Sequence, residues 1–323
     1  MNYNPLSNSL IDIFDGRTAF DLNGQRLFFR HFTIRDQNSI ASSYEKYKQI
    51  AIKKGIETEE QIYKRLKDDG DWSNDDDLKI AELETYIKNL KNTKEKLFLP
   101  SQKENHQKLI DEQQSELSLL LSRKSELVRT SAEGYANKMA NEEFLRTLIY
   151  EDSNLNKLKY SDEDFGSLTS DDIAELSKIY FRISSDLSDL NIQNIVLQDF
   201  FNIYLSGCEN PYHFFGKFIH QLTAYQMKLL LYGRIFNNIF QYHDDIPDDI
   251  KKDPQAIFDF VDSKKNRENF QSQNKDGATA IFGATSSDLE ILDPSARKVS
   301  LSEEIKKSGG SLNMEQMMKL MGQ

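Results

Sequence analysis

Apolar residues recur at three- and four-residue steps along much of this chain, which is the spacing of helices with one buried face. The pattern is clearest in two consecutive arms separated by LFLPSQ. The first arm has Ile80, Leu83, Ile87, Leu90, Lys94 and Leu97 at these steps, and the second has Ile110, Gln113, Leu117, Leu120, Lys124 and Leu127. The two arms predict an antiparallel helical hairpin of coiled-coil type that turns at LFLPSQ.

The hairpin is expected to have arms of about 25 residues, which at about 1.5 Å per residue gives a length near 35–40 Å. Its seam has few apolar positions, so we expect the hairpin to project from the body of the protein. Its predicted partner-binding residues are Leu83, Ile87, Leu90, Leu117 and Leu120. The alternative is a spacer whose charged faces are simply solvated.

The second arm is expected to continue through TSAEGYANKMANEEFLRTLIY to about Tyr150. Ala132, Ala136 and Ala140 lie four residues apart and would form one narrow helical face. Small side chains allow two helix axes to come close, so this face is suited to packing against another helix.

A β-hairpin is predicted near the N-terminus, in TAFDLNGQRLFFRHF. Asn23-Gly24 lies between two β-prone runs, and this dipeptide favours the positive φ angles of a two-residue type I′ turn. Two short helices are expected after it. The first ends near Gly55, and the second begins at the capping box that Thr58 forms with Gln61.

Aromatic residues are densest between residues 179 and 242, and this stretch is predicted to be the main helical core. Asn210-Pro211 is a typical helix start, and Thr223 with Gln226 forms a further capping box. Asp253-Pro254 is expected to begin one more helix, QAIFDFVDSKK. From residue 267 the chain is rich in Gly, Ser, Asn and Asp, which indicates a linker.

The fold class is therefore predicted as mainly α, with a small N-terminal β-hairpin, an antiparallel coiled-coil arm, a helical C-terminal core and a linker-borne terminal helix. The expected domains are 1–72, 73–150, 151–266 and 267–323.

Four of the seven methionines lie in the final segment GGSLNMEQMMKLMGQ. Met314, Met317, Met318 and Met321 fall on one face of a predicted helix, with Leu320 beside them. Methionine is flexible and polarisable, so such a stripe fits imperfect grooves. We interpret it as a docking element for another protein surface, with folding back onto its own chain as the alternative.

The composition restricts the classes of partner. A net charge of −11 argues against a nucleic-acid groove, because phosphate binding requires clustered Lys and Arg. No apolar run approaches the ~20 residues of a membrane span, and the N-terminus lacks a basic-then-apolar signal. The single cysteine, Cys208, suits a reducing cytoplasm and has no neighbouring basic residue to activate it.

Two metal-site alternatives come from short patterns. An all-helical HD-type metal-dependent phosphohydrolase would use His213, His220, His243 and Asp244, with Asp259 or Asp262 as a last ligand. A calcium loop would use Asp71, Ser73, Asp75 and Glu82. The calcium pattern has Asp76 where a glycine is needed, and helix capping explains the same residues. No GxSxG, GxGxxG or phosphate-loop motif occurs, so neither an enzymatic activity nor a cofactor is predicted.

The arrangement of several segments resembles tail or baseplate (hub) assembly proteins of large contractile-tailed, T4-like bacteriophages. These segments are FFRHFTIRDQ, GIETEEQIYKRLKDDGDWS, the helical hairpin turning at LFLPSQ, TSAEGYANKMANEEFLRTLIY and the closing SLSEEIKKSGGSLNMEQMMKLMGQ. The resemblance implies a non-enzymatic structural component or chaperone whose partners are tail or baseplate subunits, or copies of itself. The host cytoplasm or the virion would be its location. The resemblance assigns no role to individual residues.

Overall fold

The structure of this protein, a computed structural model, describes residues 5–97 and 99–273. These residues are mainly helical, with a small antiparallel sheet near the N-terminus, as the sequence predicts. In chain order the elements are α1 (Pro5–Asp15), β1 (Arg17–Leu22), β2 (Gln25–Arg30), α2 (Ile34–Lys53), α3 (Glu59–Asp69), α4 (Asn74–Lys96), α5 (Pro100–Val128), α6 (Ala132–Leu148), β3 (Ile149–Tyr150), α7 (Asp162–Gly166), α8 (Ser170–Asp186), α9 (Asp189–Val196), a 3-10 segment (Asp199–Glu209), α10 (Pro211–Phe215), a second 3-10 segment (Ile219–Gln221), α11 (Ala224–Tyr242) and α12 (Pro254–Gln273).

The described residues divide into two compact units. One comprises residues 5–72 and 125–257, and the other comprises residues 73–97, 99–124 and 258–273. The predicted terminal Met-rich helix lies outside the described residues, as does most of the predicted linker. Helix α12 continues to Gln273, past residue 267 where the linker is predicted to begin.

The predicted β-hairpin is present and gains a third strand. Asn23 and Gly24 have φ angles of 50° and 77°, as a type I′ turn requires. Strand β3 pairs antiparallel with β2, with Phe29 opposite Ile149. The third strand was not predicted, because two residues carry no periodic signal and their pairing partner lies about 120 residues away in the sequence.

Capping boxes begin two helices where the sequence predicts them, Thr58 with Gln61 and Thr223 with Gln226. Further boxes are formed by Ser73 with Asp76 and by Thr169 with Asp172. In α4 the Ser73 hydroxyl accepts from the Asp76 backbone N–H at 3.1 Å and donates to the Asp76 carboxylate at 2.8 Å. Ser73, one of the four ligands of the calcium alternative, therefore serves as a helix cap together with Asp76.

The first unit contains a close helix–helix contact between α2 and α6. The alanines that the sequence places on one face of α6, Ala132, Ala136 and Ala140, are all buried, and so is Ala51 of α2. Close approach of the two helices follows from these small side chains.

The prediction that α5 continues unbroken to Tyr150 is wrong. Helix α5 ends at Val128, and the buried Ser131 caps α6 by accepting a hydrogen bond from the Gly134 N–H at 2.9 Å. A Cβ at Gly134 would lie 2.3 Å from the Arg129 carbonyl oxygen, so the tight junction requires glycine. A helical apolar pattern runs through this break, which is why it was missed.

Helix α1 was also missed, and Gln226 connects it to α11. Leu10 and Ile13 are buried on its inner face. The fully buried Gln226 side chain donates to the carbonyl oxygens of Ile13 and Phe14 at 3.0 and 3.1 Å, and accepts from the Thr223 N–H at 3.0 Å. The three-residue step between Leu10 and Ile13 and the following Gly16 were the available signals for this helix.

Candidate protein-binding surfaces

The two arms of the predicted hairpin, α4 and α5, pack antiparallel. Ile87 and Leu90 of α4 form a small cluster with Ile110 of α5, and Leu117 packs against it. Lys94 pairs with Gln107 and Asp77 pairs with Lys124, so partners on α5 move toward its C-terminus as positions on α4 move toward its N-terminus. This order is that of antiparallel helices.

Two lysines at the predicted seam positions make polar contacts across the hairpin. Lys94 Nζ donates to Gln107 Oε1 at 2.6 Å, and Lys124 Nζ lies 3.0 Å from Asp77 Oδ1. Polar groups at seam positions favour one register over its slipped alternatives. The apolar cluster between these contacts is small, so we infer that they help to define the register.

The structure places the predicted partner-binding residues of the hairpin along its seam. Leu83, Ile87 and Leu90 are buried, and Leu117 and Leu120 are half-buried. Five other large apolar side chains of the two arms are exposed, namely Leu78, Tyr86, Leu109, Leu119 and Leu121. A partner approaching the hairpin would contact these five side chains before the seam residues. Sequence periodicity did not identify the five because they lie outside the repeating apolar face.

The aromatic stretch that was predicted to be core is only partly buried. Between residues 199 and 221 the chain forms two 3-10 segments and the five-residue helix α10, instead of long helices. Phe201 and Cys208 point inward and are fully buried. Five apolar side chains of this stretch are exposed and together are called the aromatic surface here, namely Ile203, Tyr204, Tyr212, Phe218 and Ile219.

Part of the aromatic surface is held by ring contacts. The centroids of Tyr212 and Phe218 are 5.5 Å apart, and Phe218 stacks on His220 at 5.9 Å with an interplanar angle of 6°. Tyr204 belongs to a second set of ring contacts, in which its ring lies 6.1 Å from that of Phe214.

The histidines of the phosphohydrolase alternative lie on three different elements. His213 is in α10, which ends at Phe215 before Gly216 adopts a φ of +64°, and His220 is in the second 3-10 segment. They are therefore not two turns apart on one helix, although their seven-residue spacing would allow that arrangement. His243 caps the C-terminus of α11, with Asp244 next to it. Among the described residues, no three His, Cys, Asp or Glu side chains converge in a metal-binding arrangement.

His243 and Asp244 line a cavity of about 430 Å³. Asp199 and Asp248, which also line it, are paired with lysines of the same cavity wall, Lys252 at 2.8 Å and Lys251 at 2.7 Å. Each of these charges is thus balanced within the wall. The pairing stabilises the wall, and both carboxylates already have an ion-pair partner.

A second cavity, of about 350 Å³, lies beside Tyr47 and Glu143. Burial and a hydrogen bond to the Glu143 carboxylate raise the pKa of Tyr47 to about 12. The phenol therefore stays protonated near neutral pH and serves as a hydrogen-bond donor. On the same wall Arg146 pairs with Asp162 at 2.6 Å.

Cys208 is buried, as expected for an inert thiol. Burial raises its pKa to about 11, against a smaller opposing effect of Arg234. Only a minute fraction is thiolate near neutral pH, so the side chain acts as a packing group.

A buried polar chain links α1 to the sheet through Thr18. His31 is almost fully buried, and its Nε2 lies 2.9 Å from the Thr18 hydroxyl, which also bonds Asp12. Burial, with a smaller contribution from Arg30, lowers the pKa of His31 to about 3. Burial also raises the pKa of Asp12 to about 6. Both groups favour their neutral forms in the folded state.

These two shifts predict opposite pH dependences of stability. The folded-state pKa of His31 lies below its ordinary 6.5, so its contribution is complete above pH 6.5 and is lost as the pH falls toward 3. The folded-state pKa of Asp12 lies above its ordinary 3.8, so its contribution is complete below pH 3.8 and is lost as the pH rises through 6. In the wild type the two effects partly cancel.

Substituting either group should leave only the other group's contribution to the pH dependence of stability. Between pH 6.5 and 4 we expect Asp12→Asn to lose roughly 2–3 kcal/mol of unfolding free energy relative to the wild-type trend, and His31→Gln to gain a similar amount. Urea unfolding at four pH values measures both. His106→Gln, a change in the hairpin, is the control and should follow the wild-type curve. Parallel curves for all four proteins would contradict the assignment.

In the described part of the chain, no helix has both the length and the apolar character needed to cross a bilayer. Comparison of the chain with family models, curated proteins and solved structures finds no match.

Proposed function

We propose that this protein is a non-enzymatic assembly protein that brings other polypeptides together through its helical hairpin. The observation that carries the proposal is the set of exposed apolar side chains on the outer faces of α4 and α5, of which Leu119 is 71% exposed. Exposed apolar side chains on a helical scaffold are available for contact with another protein. The antiparallel seam gives these side chains a defined helical scaffold.

The proposed partners are subunits of a bacteriophage tail or baseplate hub, or further copies of this chain. This part of the proposal comes from the segment resemblance of the sequence, and the acidic, mainly helical character of the chain is compatible with it. The protein would act as a chaperone in the host cytoplasm or remain as a component of the virion.

The phosphohydrolase alternative receives no support from the described geometry, because its three histidines lie on separate elements. We therefore propose no catalytic role for them. Phosphatase assays with added divalent metals provide a direct check, and metal-dependent activity lost in His243→Ala would overturn the assembly proposal.

Replacing two outer leucines should weaken partner binding without unfolding the hairpin. We expect Leu119→Ser with Leu121→Ser to reduce affinity at least tenfold, since loss of two interface leucines commonly costs more than ~1.4 kcal/mol. The thermal midpoint should change little, because both side chains are already exposed. Partners are first recovered from infected cells, identified by mass spectrometry and purified, and affinity is then measured by calorimetry.

The matched control is Leu158→Ser, a substitution of an exposed leucine in the other unit. It should leave the affinity unchanged. Equal affinities for the hairpin variant and the wild type would contradict the role of the hairpin. Recovery of partners that include no tail or baseplate subunit would contradict the phage assignment.

A further inference from the structure

The aromatic surface combines several strongly exposed apolar side chains within a short stretch of chain. Tyr212, Phe218 and Ile219 are each more than half exposed, and Ile203 is 78% exposed. These residues are near neighbours along a short stretch, and a ring contact joins Tyr212 to Phe218, which precedes Ile219 in the chain. An exposed apolar group of this kind normally indicates a surface that is covered in the functional protein.

The charge of this stretch differs from that of the chain as a whole. Residues 203–219 contain one acidic residue, Glu209, and one lysine, Lys217, so the stretch is neutral within a chain of net charge −11. A ligand for this surface therefore does not need a basic face to match the acidic character of the protein. An uncharged apolar segment fits it better.

The terminal segment of the same chain has this chemistry. Residues 314–321 contain four methionines on one predicted helical face, and one glutamate and one lysine whose charges cancel. Thioether groups make favourable contacts with aromatic rings, worth about 0.3–1.5 kcal/mol each, and the flexible side chain adapts to an uneven ring surface. The stripe and the aromatic surface are thus chemically complementary.

We propose that the Met-rich segment 314–321 docks on the aromatic surface of its own chain. This contact goes beyond the assembly function proposed for the hairpin and does not depend on it. Thioether–ring contacts are soft and individually weak, so a competing partner can displace the segment.

The length of the connecting chain supports a contact within one molecule. Residues 274–313 separate the end of α12 from the Met-rich segment. A chain of about forty residues can extend to about 130 Å. Helix α12 begins in the first unit at Pro254 and is about 30 Å long, so a chain of this length attached at Gln273 can return to that unit.

The tether also favours the same chain over a second copy. Attachment within one chain can give such a segment an effective concentration that approaches the millimolar range. A second copy at micromolar concentration competes poorly with that. The contact is therefore expected to form without dimerisation.

Methyl-labelled methionine NMR of the full-length chain tests this directly. The aromatic rings should shift the methyl signals of Met314, Met317, Met318 and Met321 upfield from random-coil positions, independently of protein concentration. Tyr212→Ser with Phe218→Ser should return these four signals to random-coil positions. The methyls of Met139 and Met227, which lie in α6 and α11, should not move and so verify that the variant is folded.

Two further variants make the experiment decisive. Phe181→Ser changes another highly exposed aromatic residue and should leave the tail signals in place. Met317→Gln with Met318→Gln alters only the tail and should release the remaining two methyls to random-coil positions. Random-coil tail signals in the wild type, or shifts that survive Tyr212→Ser with Phe218→Ser, would overturn the proposal. Shifts that appear only as concentration rises would assign the contact to a second copy and overturn it equally.

Discussion

Gln226→Glu is expected to destabilise the first unit by about 3–5 kcal/mol, although it changes one amide to a carboxylate of the same shape. The wild-type amide donates to the Ile13 and Phe14 carbonyl oxygens at the end of α1. A carboxylate has no proton to donate there, and it places a buried negative charge against two carbonyl oxygens. Only the hydrogen bond accepted from the Thr223 N–H survives.

The stability lost in Gln226→Glu should be greatest around α1 and should depend on pH. Amide hydrogen exchange is expected to accelerate first in α1, because its C-terminal carbonyls lose their donor. The buried introduced carboxylate should have a raised pKa, so its neutral form is favoured in the folded state. The destabilisation therefore shrinks as the pH falls toward 4.

Gln61→Glu is the matched control for this substitution. Gln61 occupies the same position of the capping box of α3, where its side chain accepts from the Thr58 N–H at 2.9 Å and is exposed. Glutamate serves equally well in an exposed capping box, and its negative charge is stabilised by the positive end of the helix dipole. Chemical denaturation should show little change or a slight gain. Similar losses for the two variants would refute the role assigned to the buried amide.

Gly233→Ala is the second substitution with a large expected effect. A Cβ at position 233 of α11 would lie 2.3 Å from Cys208 Sγ and 3.0 Å from Cys208 Cβ. Alanine normally favours a helix over glycine by about 1 kcal/mol, but this overlap forces the 3-10 segment away from α11. We expect a net loss of about 2–3 kcal/mol in the free energy of unfolding, measured by urea denaturation.

A double-mutant cycle separates this clash from other causes. Cys208→Ala removes the Sγ atom, so the combination with Gly233→Ala should be more stable than the sum of the two single effects predicts. Gly166→Ala is the control, because a Cβ there meets no atom within 4 Å. Additive effects in the cycle would show that the Cys208 contact is not the source of the loss.

The local elements were predictable because their signals are local. Asn23-Gly24 determines a turn through its own φ preferences, and Ser73 with Asp76 determines a helix start through hydrogen bonds three residues apart. The predicted seam of α4 also matches the structure, since Ile80, Leu83, Ile87 and Leu90 are all buried. The period of an amphipathic helix is sufficient to identify such a face.

Candidate sites were less predictable, because exposure depends on residues distant in the sequence. Aromatic density predicted burial of the stretch from 199 to 221, yet Tyr212 and Phe218 are exposed. The same limitation affected His213 and His220, whose seven-residue spacing gives no indication that a glycine turn separates them. The spacing of two side chains predicts their arrangement only if one element spans both.

The sequence by itself determined the helical class, the hairpin turns and the helix starts, since these follow from dihedral preferences, local hydrogen bonds and periodic apolar positions. Only the tertiary structure decided the break between α5 and α6, the third strand, the binding of α1 by Gln226 and the exposure of the aromatic surface. Each of these depends on atoms that meet across many residues of chain. The Glu57 carbonyl, which accepts from the Ala132 N–H at 2.8 Å at the start of α6, and the Ile13 carbonyl beside Gln226 are such meetings, and their positions are set by the packing of whole elements.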